Sequence, residues 1–213
     1  MSSGTVSHPI FARIYARCGG AMEKAGLAEK RVKLLARVRG SVLEVGAGNG
    51  LNFAHYPPQV DSVLAVEPDP YLRRQAVANA EGAGVKIEVV DGTAESIPAE
   101  DASFDAVVLS LVLCSVDQPA ALKEVHRVLK PGGTVHFLEH VRAATPGLDR
   151  VQRAVDATIW PRIFGGCHTN RDTVASLAGA GFTVVQLDRF SLPESGLQSP
   201  ASPCVLGVAR RSD

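Results

Sequence analysis

The chain has 213 residues, 46% of them hydrophobic and 21% charged, and its formal net charge is zero. That is enough apolar material for one globular domain with a sizeable core, and the balanced charge argues against nucleic acid or an anionic membrane as the main partner. No stretch approaches a membrane span, the first ten residues hold no signal-peptide core, and the four cysteines (Cys18, Cys114, Cys167, Cys204) are scattered without a CxxC pair, so a cytoplasmic protein with reduced thiols and no metal is expected.

In chain order, residues 9–38 read as helical, with Met22, Ala25, Ala28, Val32 and Leu35 forming one apolar stripe among Lys and Arg. This segment is expected either to pack on the sheet edge or to form a helical cap from which Tyr15 and Arg31 reach a ligand. Ser41–Val45 is the first strand, and it breaks into the turn Gly46-Ala47-Gly48-Asn49-Gly50. A buried strand, a glycine turn and an immediate helix are how α/β folds receive a nucleotide-like ligand. The dinucleotide fingerprint needs its third glycine at position 51, which is Leu51. Glu44, two residues before the first glycine, suits a ligand with a cationic amino-acid end and would repel a pyrophosphate. Asn52 lies in the short helix Leu51–His55, which stops at Pro57-Pro58.

Ser62–Val66 is the second strand, ending in Glu67-Pro68. Glu67 follows the glycine turn at about the 20-residue interval at which an acid meets ribose hydroxyls. Tyr71–Glu81 is a helix and Val85–Val90 the third strand, followed by Asp91-Gly92-Thr93-Ala94, where the carboxylate can accept from an adenine amino group. Phe104–Leu109 is a continuous apolar strand leading into Ser110-Leu111-Val112-Leu113-Cys114-Ser115. Asp117 can cap the helix Gln118–Leu129, and Lys130-Pro131-Gly132-Gly133 feeds the strand Thr134–Glu139. Gly147–Phe164 reads as a helix broken at Pro161, with Gln152, Asp156 and Trp160 on one face. Thr169 and Asn170 are expected to start the last helix, and Phe182–Phe190 and Cys204–Arg210 to close the sheet as an antiparallel pair. Strand alternating with helix predicts an α/β, Rossmann-like, doubly wound seven-stranded sheet, mostly parallel with one antiparallel strand.

The glycine turn with Glu44, the acid after strand two, Asp91-Gly92 and L-K-P-G-G together resemble the class I S-adenosylmethionine-dependent methyltransferases. A narrower resemblance runs over about 42–172. The strings N-F-x-x-Y-P-P, V-L-C-S-V and E-H-V, with the run from Gln152 through Asp156, Trp160, Phe164, Gly166-Cys167 and Arg171, are similar to the methyltransferase-like thiol S-methyltransferases. The resemblance implies one methyltransferase domain over 1–213, with the cap at 9–38 and a substrate-side insertion at 142–170. S-adenosylmethionine would be the donor and S-adenosylhomocysteine the product. Tyr15, Glu44, Gly46, Ala47, Gly48, Asn49, Gly50, Asn52, Glu67, Pro68, Asp91, Gly92, Thr93, Ala94, Ser110, Leu111 and Ser115 would hold the cofactor. Leu113, Gln152, Trp160 and Arg171 would face the substrate. The animal members carry a hydrophobic N-terminal anchor, whereas Met1–Arg39 here is amphipathic and charged, so membrane attachment is not carried over.

A thiol acceptor needs little help, since a few per cent is already thiolate at neutral pH and that fraction is strongly nucleophilic. If a base exists, His140 at the end of strand five is the first candidate, followed by Asp156 and His168. Cys114 and Cys167 are expected to be packing residues. Against thiol S-methylation stand N-, O- or C-methylation of a lipid, quinone or natural-product precursor, and a binding module that keeps the cofactor fold without turnover. The partner is a small molecule rather than nucleic acid, and the chain is expected to be a monomer or homodimer.

Overall fold

The computed structural model describes residues 12, 13, 20, 23–194 and 197–212. Its seven strands are β1 Gly40–Val45, β2 Val60–Val66, β3 Lys86–Val90, β4 Phe104–Ser110, β5 Leu129–His140, β6 Phe182–Ser191 and β7 Pro203–Arg211. They form one sheet in the order β3-β2-β1-β4-β5-β7-β6. β7 is antiparallel to β5 and β6, and the other pairings are parallel. The helices are α1 Ala28–Leu35, α2 Pro70–Ala80, α3 Gln118–Val128, α4 Pro146–Asp156, α5 Trp160–Ile163 and α6 Thr173–Gly179.

Side chains alternate across a strand, and the two cores follow that parity. Val42, Ala106, Val108 and Leu138 meet Leu34, Leu35 and Ala76 of α1 and α2 on one face. Leu43, Val45, Val107, Leu109 and Phe137 meet Leu122 and Val125 of α3 and Leu177 of α6 on the other. Asp69, Asp117 and Asp172 cap α2, α3 and α6 by accepting from backbone N–H groups of the first turn, an arrangement worth about 1 kcal/mol at each end. No described helix is long and apolar enough to cross a membrane.

Four boundaries depart from the sequence reading. The helix expected over 9–38 is broken within its described part, because Gly26 takes φ 109° inside the turn Glu23–Leu27 that precedes α1. In α1, Val32 is 52% exposed while Arg31 is buried at 3%, so the stripe is rotated to carry the arginine inward. The break after α4 falls at Ala157–Ile159, and Pro161 instead lies in the first turn of α5, where its missing N–H is harmless. The last helix starts at Thr173 rather than Thr169, because the Asp156 carboxylate holds the backbone N–H groups of Thr169 and Asn170. β5 begins earlier than expected, but its regular pairing with β4 runs from Thr134.

Candidate active site

At the carboxyl edge of the sheet the glycine turn leaves β1 with Gly46 at φ 67°, Gly48 at φ 58° and Gly50 at φ 81°. A Cβ on Gly46 would stand 2.6 Å from the Val112 side chain, so only glycine lets the turn lie this close to the loop after β4. The turn, the end of β2 and the loops after β3 and β4 enclose a cavity of about 250 Å³. Gly46, Gly48, Glu67, Pro68, Thr93, Ala94, Ser110, Leu111 and Ser115 line it, as do Asp69, Leu72, Glu95 and Val112, which the sequence reading did not single out. The Glu67 carboxylate accepts from the N–H of Gly48 at 2.7 Å and of Asp69 at 2.8 Å. Burial raises its pKa, and those two donors work the other way.

The structure does not bring the rest of the expected cofactor set to this wall. Glu44 has the parity of Val42 and faces α1, where Asn52 Nδ2 donates to it at 2.8 Å and Tyr56 Oη at 2.6 Å. Burial raises its pKa against those donors. Arg31 completes the network by donating to Asn52 Oδ1 at 2.8 Å and Ser110 Oγ at 3.1 Å. The acid of the glycine motif therefore braces the turn from behind, with both oxygens engaged. Asp91 is exposed and paired with Arg73 at 2.9 Å. Ala47, Asn49, Gly50 and Gly92 also lie off the lining, and Tyr15 lies outside the described residues.

A second cavity, of about 350 Å³, shares Leu111 and Ser115 with the first. Its wall is mostly carbon and sulfur: Leu27, Trp160, Phe164, Leu192 and Pro193 together with Cys114, Cys167 and Cys204. Trp160 and Phe164 stack with centroids 4.3 Å apart. Leu111, at the junction of the two cavities, takes φ 60°, a rare conformation for a side chain of this size. The turn that forces it is held by Glu139, whose Oε1 accepts from Val112 N at 2.9 Å and Leu113 N at 3.0 Å. Burial and the neighbouring Cys114 charge push Glu139 up to about 8 against those donors, so it is neutral at pH 7.

His140 lines this chamber, as expected of the first base candidate, but not alone. Its Nε2 lies 3.1 Å from Cys167 Sγ, and donor atoms of Cys114, His140 and Cys167 all lie within 4.8 Å of one another. Cysteines scattered in sequence thus converge, against the expectation that they only pack. Cys114 comes from the loop after β4 and His140 from the end of β5. Cys167 follows Gly165 and Gly166, at φ 59° and φ 85°, which turn the chain back after α5. The facing Cys167 thiol and His140 hold the Cys114 thiol well below its ordinary range despite burial. Burial alone would lower His140; the Cys114 charge outweighs it and holds the ring at about 9.

Of the substrate-side candidates, Trp160 reaches the chamber and the others do not. Gln152 is fully buried and spends its amide on Ala143 N, Val141 O, Thr169 O and Pro200 O. Arg171 donates to Val116 O at 2.7 Å, and Leu113 is packed in the core. Asp156 accepts from Thr169 and Asn170, His168 Nδ1 sits 2.8 Å from Gly166 O, and neither residue lines either cavity. The missed residues, Cys114 and Cys167, sit inside the strings V-L-C-S-V and G-G-C-H, where no spacing rule marks them.

Residues 43–137 match the family described as "Methyltransferase domain". Thiol S-methyltransferase TMT1A of Homo sapiens is 36% identical over 159 residues, which cover 73% of this chain and 65% of that protein. TMT1B of Homo sapiens is 33% identical over 192 residues, 84% of this chain and 78% of that protein. Among solved structures, a SAM-dependent methyltransferase of Thermotoga maritima aligns with a TM-score of 0.68 over 96% of this chain and 98% of that one, at 23% identity, a likeness of fold.

Proposed function

Because this chain belongs to the family of S-adenosylmethionine-dependent methyltransferases that includes the thiol S-methyltransferases TMT1A and TMT1B, we propose that its acceptor is a small apolar thiol. The enzyme is a methyltransferase and S-adenosylmethionine is its donor, which supplies a methyl group on a cationic sulfonium. The first cavity suits that donor. Gly46 and Gly48 allow close backbone approach, Glu67 and Asp69 offer carboxylates to ribose hydroxyls, and the backbone at Thr93–Ala94 can serve the adenine ring.

The observation that carries the thiol assignment is the second chamber, a carbon-lined space holding the Cys114–His140–Cys167 cluster and opening on the first cavity at Leu111 and Ser115. Its lining contains no carboxylate. An alcohol or phenol needs a strong base, and Asp156 and His168 lie off the chamber's lining; a thiol needs only a mild one. In the metal-free cluster the acceptor reacts through its own thiolate fraction, its proton leaving to solvent, and a protonated His140 ring steadies that anion. The acceptor sulfur then forms its S–CH3 bond as the donor's S–CH3 bond breaks, and the apolar wall keeps water out of the line of attack. The residues 142–170 would form the substrate side of the domain. Among the described residues, Cys114, Cys167 and Cys204 are free and buried, which suits the reducing cytoplasm.

The test is transfer of labelled methyl from S-adenosylmethionine to thiols, phenols and amines at pH 7 and 9. Turnover confined to thiols is expected. Transfer to phenols or amines with none to thiols would overturn the assignment.

A further inference from the structure

Three soft donor atoms, two sulfurs and one imidazole nitrogen, arrive from three separate elements and lie within 4.8 Å of one another. A proton relay needs two of them. A tetrahedral zinc site with Zn–S of about 2.3 Å and Zn–N of about 2.0–2.1 Å spaces its donors about 3.5–3.8 Å apart. The 3.1 Å contact between His140 and Cys167 would open by only about 0.4 Å to reach that geometry. Closed structural sites use four protein ligands; a three-ligand set with one open position belongs to sites whose fourth ligand is water or substrate. Here all three ligands line the chamber, so an occupant of the chamber can reach the open position. Cys204, opposite His140 across the β5–β7 pairing, directs its sulfur toward Ala201 O at 3.8 Å and does not join the cluster.

We propose that Cys114, His140 and Cys167 bind a thiophilic divalent cation, zinc by the nature of its ligands, and that the acceptor thiol completes its coordination as a thiolate. The second clause rests on the thiol reading above; the first does not. Cation binding displaces two protons, the one shared by Cys114 and His140 and the one on Cys167. The acceptor then adds as RS⁻, its proton leaving to solvent. Methyl transfer forms its S–CH3 bond while the donor's breaks, and the neutral thioether, a much poorer ligand than a thiolate, departs. Coordination holds the acceptor as an anion at neutral pH without a general base, which fits a chamber that offers no carboxylate.

The probe is Co²⁺ added to the full chain, purified under reducing conditions and stripped with a chelator. One equivalent is expected to bind, with thiolate-to-cobalt charge transfer and the intense visible bands of tetrahedral geometry. Cys114→Ser, Cys167→Ser and His140→Ala should each lose the tetrahedral spectrum, whereas Cys204→Ser should keep it. Retained S-adenosylhomocysteine binding certifies that each variant is folded. A small alkanethiol added without donor should intensify the charge-transfer band. Failure to take up cobalt in the reduced chain, with Cys114 and Cys167 found joined as a disulfide in the protein as isolated, would overturn the site. Tetrahedral binding that survives all three substitutions would overturn it equally. Cobalt bound by the three residues but blind to thiol, in an enzyme that still methylates thiols, would remove substrate coordination and leave the thiol reading intact. A thiol-sensitive spectrum with transfer only to phenols or amines would sink the thiol reading and leave the metal site.

Discussion

Glu139 decides the shape of the junction between the two cavities. Its Oε1 satisfies two buried N–H groups while its Oε2 has no partner, a fitting arrangement for a carboxyl that stays protonated. Its pKa rises from 4.5 to about 8 on folding. The folded state therefore holds the proton more tightly, and stability falls as pH rises from about 4.5 through 8. Glu139→Gln keeps the acceptor and has no proton to lose, so thermal melts should place it above the native chain at pH 8, with the gap closing toward pH 5. Glu139→Ala should lose about 2–4 kcal/mol at pH 5, because two buried N–H groups are left unpaired. A gap between Glu139→Gln and the native chain that does not widen from pH 5 to 8 would contradict this account. Asp156 belongs at the same scale. It was a candidate base by its place in the sequence, but it accepts from Thr169 N at 2.8 Å, Thr169 Oγ1 at 3.0 Å and Asn170 N at 2.9 Å. Asp156→Ala should cost about 1–3 kcal/mol of stability in denaturant titrations and leave kcat at the optimum pH within a few-fold of native. A folded Asp156→Ala chain that has lost turnover at every pH would restore it as a base.

At the scale of elements, β5 joins the back of the sheet to α1 through His136. Its ring N–H at Nδ1 donates to Leu34 O and its Nε2 accepts from Thr134 Oγ1, each at 3.2 Å. Burial outweighs the Leu34 contact and lowers its pKa from 6.5 to about 4. The unfolded chain thus takes up a proton first as pH falls, and stability present above pH 6.5 is lost toward pH 4. That slope amounts to on the order of 3 kcal/mol, should appear in pH-dependent melts, and should flatten in His136→Gln. An unchanged slope in that variant would place the acid sensitivity elsewhere. The elements themselves were largely legible, because apolar runs, proline stops and Asp caps act through nearest neighbours. What escaped was orientation. The 3–4 spacing of α1 pointed Val32 inward, but a buried Arg31 serving the Asn52–Glu44 network rotates the helix. No periodicity in α1 reveals a partner more than twenty residues away.

For the whole molecule, the sequence motifs supply many residues of the first cavity's lining and few of the second's. Gly46, Gly48 and Glu67 carry a signal in spacing and reach the cavity wall. Glu44 carries the same kind of signal, yet strand parity turns it to the other face, where it braces the turn. The cluster of Cys114, His140 and Cys167 spans the ends of three separate elements, so its existence is a property of the topology rather than of any motif. With mostly carbon around it, the chamber should reward chain length in the acceptor. The most direct measurement is kcat/KM for a series of n-alkanethiols beside the matching alcohols. Each methylene is worth about 0.8 kcal/mol on burial, so kcat/KM should rise about fourfold per carbon until the 350 Å³ chamber is filled, with no transfer to any alcohol. Methylation of the alcohols, or thiol rates indifferent to chain length, would contradict the reading of this chamber as the seat of an apolar thiol.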